Sequence, residues 1–118
     1  MKPSRVIVIL NKGSGRKDGI ERRSRISDRF EHHDISVSFV EFSPNGADLG
    51  KLAQSTAEDN PDATIVASGG DGTISGVAAG LAHVPNQMGI IPAGTFNYFA
   101  RSLNLPETVD EAVDVIAN

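Results

Sequence analysis

Residues 63–73, ATIVASGGDGT, decide the fold. A short apolar run rich in β-branched residues (63–67) meets three glycines within the four positions 69–72. A helix-compatible stretch, 74–82, follows directly. Such a change of composition marks a buried strand, a tight loop and the start of a helix. Glycines at the turn let backbone N–H groups approach an anion, and a helix N-terminus adds partial positive charge there. Asp71 breaks the pattern, because a carboxylate beside a phosphate repels it unless a divalent cation lies between them or the carboxylate handles a proton. A plain Asp71-Gly72 turn is the alternative. The GGDGT context after a buried strand favours the phosphate reading.

Working outward, residues 5–10, RVIVIL, form a second unbroken apolar run, as expected of a parallel strand covered on both faces. The polar segment 11–19 that follows holds three glycines and three cations, yet fits neither a Walker loop nor a dinucleotide fingerprint. It is either a second phosphate-facing loop or a flexible connection. A helix is expected over 20–33, with Ile20, Ile26 and Phe30 inward. The adjacent His32 and His33 at its end suit the helix dipole better than a metal. Residues 35–42 read as a strand toward the sheet edge whose change of apolar phase suggests a bulge. The next helix, 47–59, turns Leu49, Leu52, Ala53 and Thr56 inward.

The helix after GGDGT is built of small residues (Ser75, Gly76, Ala78, Ala79, Gly80), which implies a close approach to the sheet. Residues 88–91 are a fourth strand, and Pro92-Ala93-Gly94-Thr95 leads from it into a helix over 96–103. This repeats the strand–glycine–threonine–helix order and places Gly94-Thr95 at the same carboxyl edge as 69–73, where open α/β sheets bind ligands. Thr108 and Glu111 form a capping box for a last helix over 109–117. The alternation predicts an α/β fold, a three-layer sandwich around a mainly parallel, Rossmann-like sheet.

The 118 residues fit one domain, and the absence of cysteine excludes disulfides and thiolate metal sites. Nothing in the sequence resembles a signal peptide or a membrane span, so a soluble cytoplasmic protein is expected. The net charge of −4 argues against nucleic-acid binding. Seven of the eleven basic residues nonetheless fall between Lys12 and Arg29. That cluster faces either phosphates or an anionic membrane met peripherally, or it is a solvated helix face with intrahelical ion pairs.

Asn11–Gly15 (NKGSG), SGGDGT at 68–73 and PAGTFNYFARSLNLP at 92–106 together resemble the diacylglycerol kinase catalytic-domain family, relatives of the sphingosine and NAD kinases. The resemblance implies a nucleotide-binding N-terminal domain, residues 1–118, that uses ATP and Mg²⁺. A second, β-rich domain carrying the lipid acceptor is absent from the chain. The reaction implied is transfer of the γ-phosphoryl group of ATP to a lipid hydroxyl. Carried over by position, Asn11, Ser14, Gly15 and Ser43 contribute to the nucleotide pocket. Gly69, Gly70, Gly72 and Thr73 cradle phosphates, and Asp71 is the catalytic carboxylate, engaging Mg²⁺ through water. Thr95 reaches phosphate or ribose, and Asn97 organises its loop.

Lys12 stands where relatives usually have proline. Ser75, Gly76 and Tyr98 also depart from the family pattern, and Tyr98 removes a carboxylate. The half-site is expected to bind nucleotide and to turn over little alone, and its uncovered surface to self-associate. The alternatives are a kinase acting on NAD or a sugar phosphate, and a catalytically silent nucleotide-binding or interaction module.

Overall fold

The computed structural model describes residues 2–11, 17–42, 48–93 and 101–118, with the backbone alone at 17–19. Strands β1 (Arg5–Asn11), β2 (Ser36–Phe42), β3 (Thr64–Gly69) and β4 (Met88–Pro92) alternate with helices α1 (Lys17–His32), α2 (Leu49–Asp59) and α3 (Asp71–Gly80). A further helix, α4 (Val109–Ala117), closes the described chain. The strands form one sheet in the order β2-β1-β3-β4, every pair parallel. Both faces are covered, which is why the central strands read as unbroken apolar runs. On one face Val6, Val8 and Val66 pack with Ile26 and Phe30 of α1 and Val109 and Val113 of α4. On the other, Ile7, Ile9, Ile65 and Ala67 pack with Ala53 and Ala57 of α2 and Ile74 and Val77 of α3. The expected three-layer α/β sandwich is the observed one.

Several local expectations need correction. Ile20 is 62% exposed rather than inward. It lies six residues from Ile26, about 120° around the helix at 3.6 residues per turn. β2 pairs with β1 without interruption from Ser36 to Phe42, so there is no bulge. The phase change instead reflects a strand that serves both cores, Val37 and Phe39 touching one and Val40 and Phe42 the other. The helix expected from 47 begins at Leu49, where the Asp48 carboxylate accepts a hydrogen bond from the Lys51 N–H.

Of the small residues of α3, Gly76 and Gly80 serve contact with α2 rather than with the sheet, and Ser75 and Ala79 are exposed. A Cβ on Gly76 would lie 2.7 Å from Leu49 Cδ2, and one on Gly80 would lie 2.8 Å from the Gly50 carbonyl carbon. The capping box at α4 holds in modified form. The Thr108 hydroxyl oxygen accepts from the Glu111 N–H at 3.3 Å and donates to the Glu111 carboxylate at 3.1 Å.

Candidate functional site

Parallel strands all end at one edge, and the site is built there. β3 runs two residues past the expected end, to Gly69, because Ser68 pairs with Ile91 and Gly69 with Pro92 of β4. The Ala93 N–H then donates to the Gly69 carbonyl at 2.8 Å. α3 begins at Asp71 instead of 74, so Gly70 alone joins strand to helix as its N-cap. Asp71, Gly72 and Thr73 are therefore the helix's first turn. The first helical bond of that end runs from the Ile74 N–H to the Gly70 carbonyl at 3.0 Å.

The glycines are needed for different reasons. Gly70 is extended (φ −84°, ψ −171°), and no described glycine has a positive φ. Gly69 is fixed by crowding, since a Cβ there would lie 2.8 Å from Thr73 Cβ and Oγ1. At Gly72 a Cβ would meet nothing within 4 Å, so the backbone of the first helical turn is bare toward solvent. The anion-binding potential of this end thus rests on a helix N-terminus rather than on a left-handed glycine nest.

Leu10, Asn11, Arg22, Ser68, Gly69, Gly70, Thr73 and Ala93 enclose a cavity of about 140 Å³. That is several times the ~30 Å³ that one water occupies. Four residues expected from sequence, Asn11, Gly69, Gly70 and Thr73, meet on its wall. Asp71 and Gly72 stand beside it, in the same helical turn. Ser14, Gly15, Ser43, Thr95 and Asn97 lie outside the described residues, as does Gly94; the strand that leads to Gly94-Thr95 does end at this edge, opposite Gly69.

Sequence reasoning gave Arg22 no individual role. Its side chain crosses from α1 over the sheet edge, Nε donating to Ser68 Oγ at 3.1 Å. Nη2 donates to the carbonyls of Ile91 and Pro92 at 3.2 and 3.1 Å. Burial, and then the neighbouring Arg25, lower its pKa from the usual arginine value. The signal was present in the spacing. Arg22, Ile26 and Phe30 recur every four residues, which puts Arg22 at the end of the core-facing stripe.

Two other arginines of α1, Arg23 and Arg29, are engaged elsewhere, and Arg25 is exposed. Arg23 pairs with Glu41 of β2 and stacks 4.9 Å from the Phe39 ring centre. Arg29 makes a two-pronged pair with Asp114 of α4 at 2.8 and 2.7 Å, and His33 Nε2 meets the same carboxylate at 2.8 Å. Among the described residues the intrahelical ion pairs considered from sequence are replaced by bonds from Arg22, Arg23 and Arg29 to four other elements, β2, β3, β4 and α4. His33 thus has a carboxylate partner supplied from α4. Among the described residues no three His, Asp or Glu side chains gather as a metal cluster.

An open parallel α/β sheet with a glycine-lined pocket at its carboxyl edge is the arrangement in which α/β domains bind their ligands. The sequence pattern of the diacylglycerol kinase catalytic domain matches residues 5–118, and the chain belongs to that family. It is similar to the diacylglycerol kinase of Bacillus subtilis (strain 168), 35% identical over 117 residues, which are 97% of this chain and 38% of that protein. With the diacylglycerol kinase of Staphylococcus haemolyticus (strain JCSC1435) it shares 54% identity over 54 residues, 44% of this chain and 16% of that protein. A solved diacylglycerol kinase from Bacillus anthracis str. Sterne superposes with a TM-score of 0.79 at 28% identity, over 99% of this chain and 43% of that one. The chain therefore spans about two-fifths of the length of the relatives it matches end to end.

Proposed function

We propose that this chain supplies the Mg²⁺–ATP-binding part of a lipid kinase that moves the γ-phosphoryl group of ATP to a lipid hydroxyl. The observation that carries the reading is the pocket at the carboxyl edge, where Gly69, Gly70, Thr73 and a desolvated arginine meet. Anionic ligands are favoured at such a helix N-terminus. The relatives' own designation as diacylglycerol kinases points to a lipid acceptor.

In this reading Asn11, Gly69, Gly70 and Thr73 face the phosphates, and Gly72 leaves the first turn of α3 open for their approach. Ser14, Gly15, Ser43, Thr95 and Asn97 complete the nucleotide contacts by family resemblance. The donor set suits magnesium, which binds through one or two carboxylates together with substrate phosphates and retained waters. Asp71, in the first turn beside the pocket, is the carboxylate for that role. Asp71 would hold such an ion where it would supply neutralisation of the charge on the transferring phosphoryl group. Asp71 itself places a negative charge where the helix dipole favours one, and orients water toward the phosphates. The acceptor lipid is held by chain beyond this one, as the greater length of the relatives suggests. No described helix is long and apolar enough to cross a membrane, so the proposed encounter with lipid is peripheral.

Calorimetric titration with ATP, with and without Mg²⁺, tests the reading. Asp71→Ala should weaken binding on the order of tenfold or more when Mg²⁺ is present, with little effect in its absence. Equal affinities of the two proteins in Mg²⁺ would remove the metal role of Asp71. Phosphorylation assays with diacylglycerol, NAD and fructose 6-phosphate, on this chain joined to the remainder that its relatives carry, separate the lipid reading from the other kinase reactions.

A further inference from the structure

We propose that Arg22 is a phosphate-binding residue of this pocket, held by Ser68 and two β4 carbonyls so that one face of its guanidinium edge meets the polyphosphate. The inference rests on the nucleotide reading above and adds the cation which that reading lacked.

An arginine has five N–H donors in a planar fork. Three of them are engaged, one from Nε to Ser68 Oγ and two from Nη2 to the carbonyls of Ile91 and Pro92. The two on Nη1 have no hydrogen-bond partner among the described residues. The group lines the cavity together with Gly69, Gly70 and Thr73. No carboxylate forms an ion pair with it among the described residues, whereas Arg5, Arg23, Arg29 and Arg101 each have one. A cation that has lost much of its water is costly unless an anion completes its surroundings. Two neutral carbonyls and a hydroxyl fix its direction without cancelling its charge. The guanidinium fork matches phosphate oxygens, and here its rotation is already restricted before a ligand arrives.

Arg22 also has a structural consequence, because it ties the end of β3 to the end of β4. The test must therefore separate charge recognition from bracing. Affinities for ATP and for adenosine, across a range of salt, are measured for the wild-type chain, Arg22→Gln and Arg22→Lys. The glutamine variant should lose on the order of tenfold to hundredfold in ATP affinity and keep its affinity for adenosine. Its ATP binding should also show a shallower salt dependence. Lysine should restore part of the loss as a point charge.

Equal loss for ATP and adenosine would reduce Arg22 to a brace and overturn the proposal. So would unchanged ATP affinity in Arg22→Gln. Failure of the wild-type chain to bind ATP would instead overturn the nucleotide reading, and this proposal with it. A readout that needs no variant is the Arg22 side-chain N–H resonance of wild-type protein. It should shift with ATP and with inorganic triphosphate but not with adenosine, and a resonance unmoved by either polyphosphate refutes the contact.

Discussion

Gly80→Ala should destabilise the fold although it replaces a poor helix former with the best one. Gly80 is the last residue of α3, where alanine is favoured over glycine by at most the ~1 kcal/mol of a helix interior, so propensity alone predicts a gain. The structure predicts the opposite. A Cβ at position 80 would lie 2.8 Å from the carbonyl carbon and 2.9 Å from the Cα of Gly50, and closer still to its carbonyl oxygen. All of these are backbone atoms of α2, with no side chain to rotate away. The two helices must separate, which disturbs the packing of Ala53 and Ala57 against Ile74 and Val77. Overpacking of this kind costs about 1–3 kcal/mol, occasionally more, and the upper part of that range applies where backbone has to move. After the propensity gain, a net loss of about 1–2 kcal/mol remains. For a chain of this size that lowers the melting temperature by roughly 4–10 °C. Thermal and urea unfolding followed by circular dichroism measures it. At Gly76 the obstacle is the Leu49 side chain, which can turn aside, so Gly76→Ala should cost less. A Gly80→Ala protein as stable as the parent, or more stable, would refute the close-approach argument.

Gly72→Ala should stabilise the chain by about 0.4–1 kcal/mol, since its Cβ meets nothing and its φ is not positive, while weakening ATP binding by covering the bare first turn. Paired urea and calorimetric titrations read both effects. The Asp114 carboxyl is held well below the usual carboxylate range, first by the Arg29 hydrogen bonds and then by that of His33. Because its folded pKa is the depressed one, its stabilisation is full above about pH 4 and disappears as pH falls below that. Asp114→Asn should therefore flatten the decline of the urea midpoint between about pH 4 and pH 2. Thr108→Ala removes the side-chain cap of α4 and should cost about 1 kcal/mol, measurable in the same unfolding assay.

The layer order was legible because strands buried on both faces cannot alternate, and 5–10 and 63–67 showed unbroken apolar runs. Element ends were less legible where glycine was taken as punctuation. Ser68 and Gly69 look like loop but are held in the ladder by Ile91 and Pro92, a contact about two dozen residues distant that no local pattern reveals. Asp71 looked like part of the loop, yet it begins the helix, where its charge suits the dipole. The small residues of α3 announced a close approach but not its partner, because Gly50 lies in another helix. Of the site, the residues inside the glycine motif were readable and Arg22 was not. Counting seven basic residues as one cluster hid that Arg22, Arg23 and Arg29 reach different elements, Arg22 the ends of β3 and β4, Arg23 β2 and Arg29 α4.

The two ends of the sheet treat their polar groups differently, and that asymmetry supports the proposed ligand site independently of any motif. At the amino end, Arg5 donates to Asn60 Oδ1 at 3.0 Å and to Asp62 at 2.8 Å, so its charge is paired. Asn86 Nδ2 there bridges the carbonyls of Asn60 and Ala63, both at 2.9 Å, leaving its own buried Oδ1 as an orphan acceptor. At the carboxyl end the arginine's bonds among the described residues are all to neutral groups, and Gly72 places no side chain on the first turn of the helix that begins beside it. A cation without a paired anion among the described residues is unfavourable for stability alone. A polyanion at the helix N-terminus beside it would complete its surroundings, which supports the carboxyl edge as the proposed binding end of this domain.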